Sequence, residues 1–230
     1  MTEPTVSTEW LATHLADDRL VILDASYHLP DSGHDAYSEY GAAHIPGAVF
    51  MDLGRLKDDD NPLPSMLPNA NKAQHHLSSL GVGNDSHVIL YDNSPHVTSA
   101  RAWFMLRHFG FDNVSLLDGG LAKWRAEKRV LEKGHFRKAP QRLTLGKKRK
   151  DVRTLADVKA NLASKGEQLV DARGPARFSG EEAETRAGLA SGHIPGSVNL
   201  HYQRLFNADG TWKRGQALRD AFIDAGVDLD

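Results

Sequence analysis

Short apolar runs bounded by polar and turn-forming residues recur along the first 127 residues. Three of them are continuous enough to predict buried strands, namely Leu20–Asp24, His87–Tyr91 and Val114–Leu117. Segments with helical spacing of apolar residues separate the runs, over 9–16, 36–40, 71–80, 99–109 and 121–127. Strands that alternate with helices predict an α/β fold, a parallel sheet covered by helices on both faces.

The same pattern then occurs a second time. An apolar run that ends in Asp24 is followed by His-Ile-Pro-Gly at 44–47, and a run that ends in Asp171 is followed by His-Ile-Pro-Gly at 193–196. The two aspartates are 147 positions apart, from 24 to 171. This spacing is too long for a solenoid repeat and suits two domains of ordinary size.

The repeated tetrapeptide predicts a sharp turn. Proline fixes its own φ and pushes the preceding isoleucine towards an extended conformation, while glycine permits a positive φ, as a type II turn requires. A short strand is expected after each turn. His44 and His193 are either catalytic or bonded to the turn backbone, and their occurrence in both copies favours the structural role.

The second copy is shorter than the first. A helix is expected over 155–163, a strand over 168–170, a loop over 172–192 and a helix over 215–225. Gly226-Val227 then aligns with Gly81-Val82, after which the first copy continues for two more strands and two more helices. The repeat therefore predicts that roughly 40 to 50 residues of the second domain are absent. We expect residues 151–230 to be marginally folded and the first domain to be stable.

The predicted domains are 1–127 and 151–230, joined by a basic segment over 128–150. This segment ends in the run 147–150, Lys-Lys-Arg-Lys. A nucleic-acid-binding patch is disfavoured because no aromatic residues or known motif accompany the charges. A solvated inter-domain connection is favoured instead.

Composition limits the function classes. The net charge of −2 gives no reason to expect nucleic acid or a membrane as partner. No 18-residue apolar run occurs and the acidic N-terminus lacks an apolar signal region, so a cytoplasmic location is predicted. The histidines show no ligand spacing, so no metal or other cofactor is predicted. The chain contains no cysteine, which excludes disulfides and thiolate catalysis by these 230 residues.

The paired units, the two His-Ile-Pro-Gly blocks and Asp-Gly-Gly-Leu-Ala-Lys-Trp at 118–124 together resemble the two-domain rhodanese family. The likeness is strongest to its 3-mercaptopyruvate and thiosulfate sulfurtransferases, and 62–68 and 101–103 add to it. It implies tandem rhodanese-like domains, each a parallel sheet flanked by helices, with the second incomplete. Family members transfer sulfane sulfur from 3-mercaptopyruvate or thiosulfate to a thiol or cyanide, through a persulfide on a cysteine of the C-terminal domain. The resemblance therefore implies a truncation before that cysteine, which the coding sequence beyond codon 230 would test.

The resemblance also implies site residues. The family's cysteine opens the loop after a central strand. Asp92 stands at that position of the first domain, which is therefore expected to be catalytically silent. Arg177 and Arg186 match two arginines that hold the donor's carboxylate or sulfonate, and a pair of them favours mercaptopyruvate over thiosulfate. Alternatively, these arginines are solvated or paired with a nearby glutamate of the loop. His44 and Asp35 are candidates for the border of the cleft.

The implied partners are a small anionic sulfur donor and a thiol acceptor, either a small thiol or a thioredoxin-like protein. The function expected from the family is sulfur transfer, with a chain that is inactive as given because its nucleophile is absent. A non-catalytic anion-binding or scaffold protein is the alternative. A third possibility is complementation by a separate chain that carries the cysteine loop.

Overall fold

A computed structural model describes residues 3–184 and 188–229. The chain divides into two compact units, Met1–Asp151 and Val152–Asp230. Within the described residues, every helix is too short or too polar to traverse a bilayer.

Unit 1, residues 1–151, is built on a sheet of five parallel strands in the order β1-β5-β4-β2-β3. The strands are β1 Thr5–Val6, β2 Leu20–Asp24, β3 Val49–Phe50, β4 His87–Tyr91 and β5 Val114–Leu117. Every residue of β2 is buried, which explains the continuous apolar run that predicts it. The predicted parallel sheet is confirmed, and β1 is an additional edge strand of two residues.

The strands are connected by the helices α1 Thr8–His14, α2 Ala36–Ala42, α3 Ala70–Ser79 and α4 Thr98–His108, and α5 Gly120–Ala126 follows β5. A 3₁₀ helix, Pro30–Ser32, precedes α2. Ser7 caps α1 by accepting a hydrogen bond from the backbone N–H of Trp10 at 3.0 Å. Gly81 follows α3 with φ of 84°, and a Cβ there would lie 2.5 Å from the Cβ of Lys138, so glycine is required at this helix end.

The sequence predicted that the basic segment after α5 is a solvated connection between domains. In the structure this segment is attached to the rest of unit 1. Glu132 and His44 exchange two backbone hydrogen bonds, at 2.9 and 2.8 Å. Further along, Arg149 donates its backbone N–H to the carbonyl of His108 at 2.8 Å, and Leu143 is buried. Although most of the segment is exposed, unit 1 therefore extends to residue 151. Composition does not predict this attachment, because it is made largely by backbone hydrogen bonds, which do not depend on side-chain type.

Unit 2, residues 152–230, has a sheet of two parallel strands, β6 Val170–Asp171 and β7 Val198–Asn199. Its helices are α6 Leu155–Ser164, α7 Pro175–Ser179 and α8 Gly215–Ile223, with a 3₁₀ helix at Tyr202–Leu205. The prediction of an irregular loop over 172–192 is wrong at α7, which begins with Pro175 in its first turn. Proline suits that position because its missing N–H has no partner in the first turn of a helix.

The repeat seen in the sequence is also a repeat of strand pairing. Leu23 lies opposite Val49 in unit 1, and Val170 lies opposite Val198 in unit 2. In unit 1 the residue that follows β3 donates its backbone N–H to the carbonyl of Asp24 at 2.8 Å. In unit 2 the residue that follows β7 donates its backbone N–H to the carbonyl of Asp171 at 3.0 Å.

The predicted turn is present in both copies. In each copy, the carbonyl of the isoleucine accepts the backbone N–H of the residue three positions later. The distance is 3.0 Å at Ile45 and 3.1 Å at Ile194. Gly47 and Gly196 have φ of 71° and 80°, the left-handed region that the third position of a type II turn requires.

Candidate functional site

The loop between β4 and α4 of unit 1 holds a buried carboxylate at the position that corresponds to the cysteine of the family's C-terminal domain. Asp92 lies directly after β4. One of its oxygens accepts the backbone N–H of Ser94 at 2.9 Å, and the other accepts the N–H of Ser99 in the first turn of α4, also at 2.9 Å. Backbone N–H groups at a helix N-terminus form an anion-binding site. In unit 1 that site is filled by the protein's own side chain.

A second buried carboxylate lies beside it. Asp24 ends β2, the strand paired with β4, and accepts the backbone N–H of Ser26 at 2.9 Å. Burial raises the pKa of Asp24 and also that of Asp92, although hydrogen bonds from neighbouring serines oppose the shift in both. A carboxylate has no sulfur and cannot become a persulfide, so this geometry favours the interpretation that unit 1 is catalytically silent.

Unit 2 carries the predicted donor-binding residue Arg177 on α7. Its Nη2 donates to Oε2 of Glu184 at 2.6 Å, and Glu184 is largely buried. This ion pair agrees with the alternative that the arginine pairs with a glutamate of the loop. A role in donor binding stays a prediction. The other predicted residue, Arg186, lies outside the described residues.

Sequence analysis missed a second arginine of unit 2. Nε of Arg173 donates to Oδ1 of Asp171 at 3.0 Å, and its Nη2 donates to Oδ2 at 2.6 Å and to the carbonyl of Gly192 at 2.7 Å. Hydrogen bonds from Arg173 lower the pKa of Asp171. The pair ties the end of β6 to the segment before the turn. Its signal in the sequence is the spacing Asp-Ala-Arg, with the arginine two residues after the strand's aspartate.

The two residues predicted for a cleft have structural partners. His44 is 1% exposed, and its Nδ1 bonds the carbonyl of Tyr40 at 2.9 Å while its ring stacks on the Tyr40 ring. This supports a structural role for His44, although the carbonyl that it bonds belongs to α2 and not, as the sequence predicted, to the turn. Asp35 caps α2 by accepting the backbone N–H of Tyr37 at 3.2 Å. A contribution of either residue to a cleft stays a prediction.

The structure also brings together three side chains that the sequence does not link. Nε2 of His28 lies 3.0 Å from Oε2 of Glu39, and Nδ1 of His34 lies 2.6 Å from Oε1 of Glu39. Nitrogen and carboxylate oxygen atoms are common metal ligands. The sequence predicted no metal site because His28 and His34 lie in the irregular segment before α2 and Glu39 lies on α2, without a recognisable spacing.

The model of the Rhodanese-like domain family matches residues 7–127 and 154–224. The chain belongs to this family. The two matched regions fall one in each unit, so the rhodanese-like fold occurs twice in tandem, and the resemblance seen in the sequence is confirmed.

Individual proteins give the same result. The chain is 39% identical to human 3-mercaptopyruvate sulfurtransferase, over 97% of this chain and 77% of that protein. It is 37% identical to rat thiosulfate sulfurtransferase, over 97% of this chain and 77% of that protein. The crystal structure of SseA from Escherichia coli, described as a 3-mercaptopyruvate sulfotransferase, superposes with a TM-score of 0.89 and 36% identity, covering all of this chain and 86% of that one. The chain is therefore a rhodanese-like protein of the sulfurtransferase family.

Proposed function

We propose that these 230 residues supply the donor-binding part of a 3-mercaptopyruvate sulfurtransferase, and that the sulfur-carrying thiol comes from outside them. In this reaction the thiolate attacks the donor sulfur. The carbon–sulfur bond breaks, its electron pair stays on carbon as the enolate of pyruvate, and a proton completes pyruvate while the sulfur remains as a persulfide. None of the 230 residues is a cysteine, so they cannot carry the persulfide.

The observation that carries the proposal is the position of Arg177. It lies on α7, a short distance after β6, and its guanidinium is fixed by Glu184 through one hydrogen bond. A guanidinium has five N–H donors in a planar fork, so this bond leaves donors for a planar carboxylate. Arg186 is the proposed second donor. An α-keto acid offers a carboxylate and a keto oxygen to two arginines, and we propose thiosulfate as the less preferred donor.

Calorimetry on the 230-residue chain tests the donor site without needing a thiol. We expect 3-mercaptopyruvate and pyruvate to bind with similar affinity and thiosulfate to bind more weakly, since recognition is through the carboxylate and keto group. Arg177→Ala should weaken binding by about tenfold or more, the effect of losing a hydrogen bond to a charged group. Arg219→Lys, at an exposed position of α8, is the control and should leave affinity unchanged. Equal binding by the Arg177→Ala variant would refute the assignment.

A non-catalytic anion-binding or scaffold role is the second candidate. It is favoured by the absence of any thiol in these residues and by Asp92 in the loop of unit 1. Sulfur transfer separates the two candidates. The chain alone should form no persulfide with 3-mercaptopyruvate, as read by cyanolysis. If a thiol-bearing rhodanese segment added in trans or fused after residue 230 restores turnover, the enzyme proposal stands. Anion binding that persists with no turnover after this addition supports the scaffold role.

A further inference from the structure

His28, His34 and Glu39 form a cluster in unit 1 that is separate from the residues of the proposed donor site. His28 follows β2, His34 follows the 3₁₀ helix, and Glu39 lies on α2. One nitrogen of each ring and one carboxylate oxygen all lie within 4.8 Å of one another. We propose that these three side chains bind a divalent transition-metal ion of the zinc type.

The distances suit such an ion. With metal–ligand bonds of about 2.0–2.1 Å, the ligand atoms of a four-coordinate ion lie roughly 3.3 Å apart. Oε2 of Glu39 lies 3.0 Å from Nε2 of His28, and the other oxygen, Oε1, lies 2.6 Å from Nδ1 of His34. The side chain of His34 is exposed, so it can rotate to complete the arrangement at little cost in packing.

The ligand set selects the class of ion. Two imidazoles and one carboxylate leave at least one position open, as in zinc sites that also hold water, whereas Mg²⁺ and Ca²⁺ prefer oxygen ligands throughout. Each ring donates an N–H to Glu39 in the metal-free protein, because a carboxylate only accepts. When the ion binds, the lone pair of that nitrogen is needed, and each ring carries its proton on its other nitrogen.

A second layer of hydrogen bonds holds the carboxylate. Nδ2 of Asn93 donates to Oε2 of Glu39 at 3.1 Å, and Oδ1 of Asn93 accepts from Nη1 of Arg125 at 3.3 Å. The backbone N–H of Asn93 in turn donates to Oγ of Ser26 at 2.8 Å. Partners of this kind orient a metal ligand and raise the affinity of the site.

The cluster opens into a cavity of about 400 Å³. Besides the three proposed ligands, Asn93, His96 and Arg125 line it. A cavity of this size accommodates the ion, its water molecules and a small ligand that coordinates the open position. The site therefore differs from a closed structural zinc site, in which four protein ligands surround the ion.

Calorimetry of the full, tag-free chain with ZnCl₂ tests the proposal, and MgCl₂ serves as a comparison. We expect one strong site for Zn²⁺ per chain and no comparable binding of Mg²⁺. His34→Ala and Glu39→Gln should each weaken Zn²⁺ binding by about 10- to 100-fold, and Asn93→Ala by about tenfold. His34 is exposed, so its replacement should not prevent folding, and Glu39→Gln keeps the size of the side chain.

The matched control is His75→Ala, an exposed histidine on α3, which should change the affinity less than about twofold. Several weak sites that respond equally to His34→Ala and His75→Ala would mean adsorption to scattered histidines and would overturn the proposal. Zn²⁺ binding no tighter than that of Mg²⁺ would overturn it as well.

Discussion

The two units contain the same turn and the same strand pairing in very different surroundings. Leu23 of β2 is 0% exposed, whereas its counterpart Val170 of β6 is 42% exposed. Ile45 in the first turn is 0% exposed, and Ile194 in the second is 48% exposed. The local backbone conformation is therefore independent of burial, and the difference lies in what packs against each copy.

Strand neighbours account for the difference. In unit 1, β2 pairs with β3 on one side and with β4 on the other. Within the described residues, β6 pairs with β7 alone. Among the described residues of unit 2, the buried apolar side chains are those of Leu200 and Ala221. Because parallel strands are normally buried on both faces, unit 2 has much less apolar burial to offset its conformational entropy.

Hydrogen exchange should show the largest consequence of this comparison. The amides of β2 and β4 should exchange at rates set by global unfolding of unit 1, and those of β6 and β7 at least about 100-fold faster through local opening. Exchange followed by mass spectrometry on the full chain resolves peptides from each unit. Equal protection of the two strand pairs would contradict the comparison.

Matched substitutions in the two turns should show the next largest effect. Ile45→Ala removes a buried side chain and should lower the free energy of unfolding of unit 1 by about 2–5 kcal/mol. Ile194→Ala removes an exposed one and should change stability by about 0.5 kcal/mol or less. Urea unfolding of the full chain, with hydrogen exchange to assign each unit, measures both. Similar costs for the two variants would mean that unit 2 buries Ile194 in solution.

A thiol introduced at Asp92 tests whether the loop of unit 1 forms an anion-binding site. The chain has no other thiol, so alkylation of the Asp92→Cys variant reports on this thiol alone. The N–H groups of Ser94 and Ser99 point at this position, and they should lower the thiol pKa to about 7.5 or less despite burial. The rate of alkylation as a function of pH gives the pKa.

Ser79→Cys is the control, at the exposed end of α3, and the pKa of its thiol should be about 8.5. A thiol pKa at position 92 equal to or above that of this control would show that burial outweighs the N–H groups. Persulfide formation by the Asp92→Cys variant with 3-mercaptopyruvate would go further and show that unit 1 can also bind the donor.

The strands and turns were predictable because their signals are local. The runs Leu20–Asp24, His87–Tyr91 and Val114–Leu117 are strands with the predicted bounds, since a buried parallel strand must be apolar on both faces. The strand β1 and the helix α7 were missed because two and five residues are too short to show a period.

The candidate sites were harder to predict because they depend on contacts between distant segments. The resemblance to the family identified Asp92 as the position that corresponds to the cysteine, but the sequence did not show which two backbone N–H groups the carboxylate accepts. The approach of His28 and His34 to Glu39 depends on how the segment between β2 and α2 folds back. Hydrogen bonds such as that from the backbone N–H of Arg149 to the carbonyl of His108 attach the basic segment, 128–150, to the rest of unit 1, and no sequence pattern predicts them.

The smallest predicted difference is a pair of opposite pKa shifts at equivalent aspartates. Asp24 and Asp171 each accept the backbone N–H of the residue two positions on, at 2.9 Å. Burial raises the pKa of Asp24 above its ordinary value of 3.8, and the Arg173 side chain lowers that of Asp171 below 3.8. Carbon-13 NMR of the aspartate carboxyls measures both, with Asp24→Asn and Asp171→Asn to assign the signals.

The two opposite pKa shifts make stability depend on pH in opposite directions. Because the folded pKa of Asp171 is depressed, its ionised form stabilises unit 2 above about pH 3.8, and this contribution is lost as pH falls through the folded value. Asp24 is the reverse case. Its folded pKa is raised, so unit 1 gains stability from it as pH falls from above that value towards 3.8. Asp24 lies beside Asp92, so the two carboxyl groups titrate as a coupled pair. The substitution Asp92→Asn should therefore lower the pKa of Asp24. Two aspartates titrating on the same side of 3.8 would show that the equivalent loops have the same electrostatic environment.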